Sequence, residues 1–220
     1  MLEYELFRSA RKTVGITVKD GCVVVKAPRY VSASDIDLFV NANREWIEKK
    51  LSADEQKRKR FADYLNCVKF LFRGRSIESR AENVKRIALT SEALCVPKGR
   101  DFGAIRQKII REYKRVASEF LSSRLDVLSA YTGMTFDRFM LTNARTKWGS
   151  CSTAKLIRLN WRLVMLPDGL SDYVIIHELC HTKYMNHSAK FWNCVREYIS
   201  DYKKRKQLLK EYSVIMDVLR

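Results

Sequence analysis

His177-Glu178-Leu179-Cys180-His181 sets two histidines four residues apart, with a glutamate beside the first. On an α-helix four residues advance by about 400°, so both imidazoles lie on one face, about one turn apart. That spacing lets both rings reach one transition-metal ion at Zn–N distances of about 2.0–2.1 Å. Glu178 is displaced around the helix. It lies too far round to ligate, yet within reach of water at the ion, as a general base requires. The chain has 3 histidines. The last, His187, follows the short segment 182–186, with Asn186 as its turn residue. A helix that stops there folds His187 back as a third ligand and leaves a fourth position for water, the pattern of a catalytic zinc site. Glu197 is the competing third ligand, since a downstream helix can supply a carboxylate. Imidazole chemistry and the short return favour His187. Cys180 sits between the ligands and reads as core.

The elements that must hold this group are legible in outline. Val174-Ile175-Ile176 makes the motif helix a buried one. Ser171-Asp172 is its expected start, with acid in the first turn. Upstream, residues 104–132 lack Gly and Pro, and Ile105, Ile109, Tyr113, Val116, Phe120 and Leu128 mark one face of a long helix ending at Gly133. Residues 135–141 and 156–160 read as strands. Phe191, Trp192, Val195, Tyr198 and Ile199 stripe a further helix, and a last one starts near Asp201. In the first hundred residues, runs 13–18 and 22–27 flank Asp20-Gly21 as a hairpin. Ser32 to Asp35 opens a helix carrying Ile36, Phe39, Val40 and Ile47, which decays into the exposed basic segment 56–60. Strands follow at 67–72, 86–89 and 93–96. The expectation is an α+β chain, with a β-rich lobe with one helix over 1–100 and a metal-binding catalytic domain over 101–220.

Composition bounds the setting. The 220 residues are 46% hydrophobic and 30% charged, which places them among globular proteins. Apolar runs are far shorter than the ~20 residues that span a bilayer. The first ten residues carry two acids where an export signal needs a basic start, so the expected location is the cytoplasm, with no membrane partner. Six scattered cysteines without a C-x-x-C pair read as reduced thiols, packed as small hydrophobes. Lys and Arg number 42 against 25 Asp and Glu, a net charge of +17. Such a field attracts nucleic acid or nucleotides, or is a solvated surface without a specific partner.

Several segments together resemble the YgjP-like metallopeptidase family and, more loosely, the SprT-like proteases. They are Arg145-Thr146-Lys147-Trp148-Gly149-Ser150-Cys151-Ser152, Leu159-Asn160-Trp161-Arg162-Leu163, the helix from Tyr173 through His181, and Asn186-His187-Ser188 with Phe191-Trp192. Ala27-Pro28 and Glu45-Trp46-Ile47 extend the likeness toward the start of the chain. The resemblance implies that His177, His181 and His187 bind the metal and that Glu178 is catalytic. It also implies a zincin-like fold, an active-site helix beside a small sheet with a further helix behind. His187 follows His177 by ten residues, as in metzincins, but Tyr184 stands at their Gly position.

Trp148 to Ser152 reads as a turn and strand bordering the cleft, because a nucleophilic Ser or Cys would need a histidine base and all three are committed. Arg145 and Lys147 are either substrate-facing cations or ordinary surface charges. Trp148 and Trp161 read as core. The leading expectation is peptide hydrolysis assisted by Zn²⁺ or another divalent transition metal, with Tyr184, Arg145 and Lys147 as candidates to stabilise the oxyanion. Two alternatives keep the metal. One hydrolyses the phosphoanhydride of a nucleoside triphosphate, with basic residues on the phosphates; the other is a protease acting on nucleic-acid-associated proteins.

Overall fold

The computed structural model describes residues 2–19, 21–99 and 101–219. The chain forms two compact units, divided between Ala62 and Asp63.

The first unit holds β1 (Glu5–Ser9) and the β-branched runs β2 (Gly15–Lys19) and β3 (Cys22–Pro28). β2 and β3 pair antiparallel as expected, while Asp20 of the hairpin signal lies outside the described residues. β1, not anticipated, runs parallel to the other edge of β3. Val23, Val25 and Ala27 alternate onto the buried face and meet Ile36, Val40 and Ile47. The expected single helix is two, α1 (Ala33–Ala42) and α2 (Arg44–Arg60). Ser32 caps α1 by accepting the Asp35 N–H, and Asn43 interrupts with its side chain turned back onto the Phe39 carbonyl. The basic segment 56–60 stays helical.

After a short α3 (Ala62–Leu65), the second unit opens with β4 (Phe70–Phe72), β5 (Arg75–Glu82), β6 (Ala88–Leu89) and β7 (Ala93–Pro97), in the order β4-β5-β7-β6. Here the lobe boundary expected after residue 100 shifts. These strands pack with the next helix, α4 (Phe102–Thr132), where the Tyr113 hydroxyl donates to the Leu71 carbonyl at 2.9 Å. α4 is capped by Asp101 and stopped by left-handed Gly133. Its buried face runs through Ile105, Ile109, Tyr113, Ala117, Leu121, Leu125 and Leu128. Val116 and Phe120 sit half-buried at its margin.

A second sheet follows, β8 (Arg138–Thr142), β9 (Gly149–Cys151) and β10 (Leu156–Asn160), with β10 central, parallel to β8 and antiparallel to β9. A 3₁₀ turn, Trp161–Met165, leads into α5 (Asp168–His181), then α6 (Ala189–Tyr198) and α7 (Tyr202–Glu211). The architecture is α+β. Among the described residues no helix is long and apolar enough to cross a membrane. All six cysteines are free. Only Cys180 and Cys194 are buried, and Cys22 is exposed, so packing accounts for fewer thiols than expected.

Candidate metal centre

α5 begins at Asp168, one turn before the expected Ser171, because Ser171 and Asp172 are engaged elsewhere. The Ser171 hydroxyl donates to the Leu163 carbonyl at 2.8 Å, and Asp172 takes a two-pronged contact from Arg124 at 2.6 and 2.8 Å. Asp168 takes the first-turn role and pairs with Arg73. The tight β4–β5 turn anchors this start. Arg73 and Gly74 donate backbone N–H bonds to Val164 and Met165 at 2.7 and 3.1 Å. Gly74 has a φ of +76°, and a Cβ there would come within 2.9 Å of the Pro167 backbone, so only glycine fits. Tyr173, Val174, Ile175, Ile176, Leu179 and Cys180 are buried around the helix, which fixes its rotation.

The last turns present the histidines. His181 is buried, and its Nδ1 lies 2.9 Å from the Tyr184 carbonyl oxygen. A carbonyl only accepts, so Nδ1 carries the proton and Nε2 keeps its lone pair for a ligand. The helix closes as Lys183 and Tyr184 donate to the Cys180 carbonyl, and the chain turns at Asn186. His187 then returns with Nε2 3.1 Å from Nε2 of His177. Two nitrogens bound tetrahedrally to one zinc stand about 3.3 Å apart, so this pair converges as ligands do. One ligand atom from each of His177, His181 and His187 lies within 4.8 Å of the others. Phe191 stacks beneath His181 with ring centroids 4.4 Å apart, and Trp192 stacks on His187 at 5.5 Å. Burial, then His181, His187 and Lys206, push the His177 pKa down to about 3, so its imidazole is neutral near pH 7. Its Nδ1 is buried without a hydrogen-bond partner among the described residues. This donor set, with one tautomer fixed by a carbonyl behind it, suits a zinc-type ion.

Glu178 is 5% exposed. Burial pushes its pKa up to about 8, opposed by the nearby Lys147. Its seat depends on β9. A Cβ at Gly149 would stand 2.7 Å from Oε1 and 2.8 Å from Cγ of Glu178. The strand can lie against the carboxyl only because that side chain is missing. A cavity of about 350 Å³ opens here, lined by His177, Glu178, Tyr173 and Gly149, and by Lys147, Lys206 and Lys210.

The loop before β9 is pinned by buried Asn160. Its amide donates to the carbonyls of Ala144 at 2.7 Å and Lys147 at 3.2 Å, and its backbone N–H donates to Trp148. Trp161 and Arg162 both donate to Asn143, which holds the same loop from the other side.

The sequence-derived candidates therefore separate. Lys147 and Trp148 line the cavity, although Trp148 was expected in the core; Trp161 is buried there. Arg145 is exposed and outside the lining. Tyr184 contributes its carbonyl rather than its ring. Glu197 is exposed and outside the histidine group. Burial pushes the Cys151 thiol up to about 11, which makes it a poor nucleophile. The sequence reading missed the part played by Gly149, Tyr173, Trp192 and Lys206. One signal was available for the last: Lys206, Leu209, Lys210 and Ser213 follow helical spacing onto one side of the cavity.

A family model described as YgjP-like, metallopeptidase domain, matches residues 12–212. No curated protein matches the chain. Among solved structures, the metallopeptidase zymogen abylysin of Pyrococcus abyssi is similar at 20% identity over 40% of this chain and 90% of that one, with a TM-score of 0.37. That likeness is too slight to bear on fold or activity.

Proposed function

The chain belongs to the YgjP-like metallopeptidase family, and from that premise we propose a zinc-dependent peptidase with His177, His181 and His187 as metal ligands and Glu178 as general base. The observation that carries the reading is the convergence of three imidazoles beside a buried carboxyl at one cavity. When bound, zinc supplies a Lewis acid for the scissile carbonyl and acidifies water to a pKa of about 7. The protein's own groups do the rest. Glu178, desolvated and held by the Gly149 seat, is a stronger base than an exposed carboxylate; it takes the proton from water and hands it to the leaving amine. The Tyr184 carbonyl fixes the His181 tautomer, and Phe191 and Trp192 restrain the rings. The zincin-like arrangement expected from the sequence belongs to this proposal.

A second reading rests on one feature. Lys147, Lys206 and Lys210 line the same cavity, and cations there also suit the phosphates of a nucleoside triphosphate. Zinc-loaded protein incubated in parallel with a peptide library and with nucleoside triphosphates separates the two. Peptide cleavage that Glu178→Gln abolishes supports the first reading; Glu178-dependent phosphate release with intact peptides replaces it with the second.

A further inference from the structure

α7 brings a lysine to the metal centre on an aromatic support. Tyr202, one turn before Lys206, stacks on Trp192 with ring centroids 5.2 Å apart and planes 17° from parallel. Trp192 in turn stacks on His187 at 5.5 Å and 22°. The Lys206 ammonium lies 4.3 Å from the Trp192 ring centroid, a cation–π distance. A long, rotamer-rich side chain is thereby held in one place, at the wall of the cavity that His177 and Glu178 also line.

Its neighbour shows what an ordinary surface cation does on this helix. Arg205 pairs with Asp201 at 2.9 Å and donates to the Gly169 carbonyl at 2.8 Å. Lys206 has no carboxylate partner among the described residues. Lys147 reaches the same cavity from the β9 side, where its charge acts on Glu178. Lysines beside a site for a divalent cation oppose metal binding by Coulomb repulsion; Lys147, Lys206 and Lys210 all line the cavity, where Glu178 is the one carboxylate among the described residues. Once a metal occupies neutral imidazoles, the cavity carries positive charge that its own residues do not balance. An anionic group on the substrate balances it.

We propose that Lys206, fixed over Trp192, and Lys147 form an anion-recognition subsite that holds a carboxylate or phosphate carried by the substrate near the scissile bond. The inference rests on the reading that hydrolysis takes place at His177 and Glu178. Lys206 is then a specificity-determining residue, and Trp192 and Tyr202 are positioning residues. The subsite discriminates against neutral substrates, because replacing the anion by an amide leaves the ammonium groups uncompensated.

The test measures binding by calorimetry on the zinc-loaded full chain, so it does not depend on turnover. One arm titrates inorganic pyrophosphate. The other compares a short peptide bearing Asp and Glu with its Asn and Gln counterpart. The parent protein is expected to bind at least one anion, with affinity falling as salt rises. Lys206→Ala is expected to weaken that binding about fivefold to tenfold, with zinc content unchanged and the neutral peptide unaffected. Lys206→Arg is expected to recover part of the loss, and Trp192→Leu to reproduce it in part. The arm in which the loss appears identifies the source of the anion. Equal anion binding by the parent and Lys206→Ala overturns the proposal, as does zinc loss in Lys206→Ala or a parent that binds neither anion. Failure of the hydrolytic reading shows up separately, as a metal-loaded Glu178→Gln protein that still turns substrate over.

Discussion

The two halves of α5 treat their polar groups differently. In the first half each is matched: buried Ser171 by the Leu163 carbonyl, half-buried Asp172 by Arg124, and the more exposed Asp168 by Arg73. In the second half, the Tyr184 carbonyl holds the His181 ring, but His177 Nδ1 is buried with no hydrogen-bond partner among the described residues, and Glu178 is a buried carboxyl set at the cavity wall. A buried polar atom left unpaired, as His177 Nδ1 is, costs about 1–3 kcal/mol. Packing alone gives no reason to place it there, since the same helix satisfies its polar groups two turns earlier. The first half positions and the second half is held ready, its cost offset by the anchoring of the first.

Substitutions that exchange these roles test the contrast. The largest effect belongs to Glu178→Gln. It leaves all three imidazoles and the shape of the site in place but removes the proton acceptor. Turnover should fall 10²–10⁴-fold, roughly 3–5 kcal/mol in barrier, with metal content unchanged. Full activity in the metal-loaded variant would disprove the assignment. Gly149→Ala comes next. Its methyl collides with the Glu178 carboxyl, so turnover should drop on the order of 10–100-fold while metal is retained. Unchanged kinetics would mean that the carboxyl has other room.

In the first half, the penalty should move from function to stability. Asp172→Ala strands Arg124 in a half-buried position and should lower unfolding stability by about 1–3 kcal/mol, measured by denaturant melts, with metal occupancy unchanged. Loss of metal instead would show that the two halves are not separable.

The smallest effect is pH-dependent. The folded chain holds Glu178 at a pKa of about 8 against an ordinary 4.5. The fold therefore binds this proton more tightly than the unfolded chain does. Its contribution is fully present below pH 4.5 and is lost as pH rises through 8. Metal-free Glu178→Gln lacks this loss. It should gain on the parent between pH 5 and 8, on the order of 1–2 kcal/mol once relaxation of the site is allowed for. His177 titrates the other way, losing stability as pH falls from 6.5 toward 3, but it does so in both proteins and cancels from the difference. Parallel pH–stability curves would show that Glu178 is not desolvated.

Local signals carried much of the fold. β10 falls on the expected 156–160, and the Asp101 cap and the Gly133 stop bound α4 close to its expected span. Those are local rules, read from periodicity and turn chemistry. Pairings between distant segments were not legible. β1 and β5 pair parallel with β3 and β7, which no hairpin signal announces. Ser171 and Asp172 look like a helix start until Leu163 and Arg124 are seen to claim them. The convergence of the three histidines could be expected because each is a rare residue in a spaced motif. Gly149 could not, since a missing Cβ acquires meaning only through what folds against it, and for Lys206 helical spacing placed the side of the helix but not the ring that holds it.

The central claim is that this group holds a metal, and zinc titration of the metal-free chain, followed by elemental analysis, tests it most directly. One ion per chain is predicted, retained in Glu178→Gln, with affinity sharply reduced in His177→Ala, His181→Ala and His187→Ala. A chain that purifies without metal and binds none on titration would contradict the account. Retention by His187→Ala alone would return Glu197 to the third position.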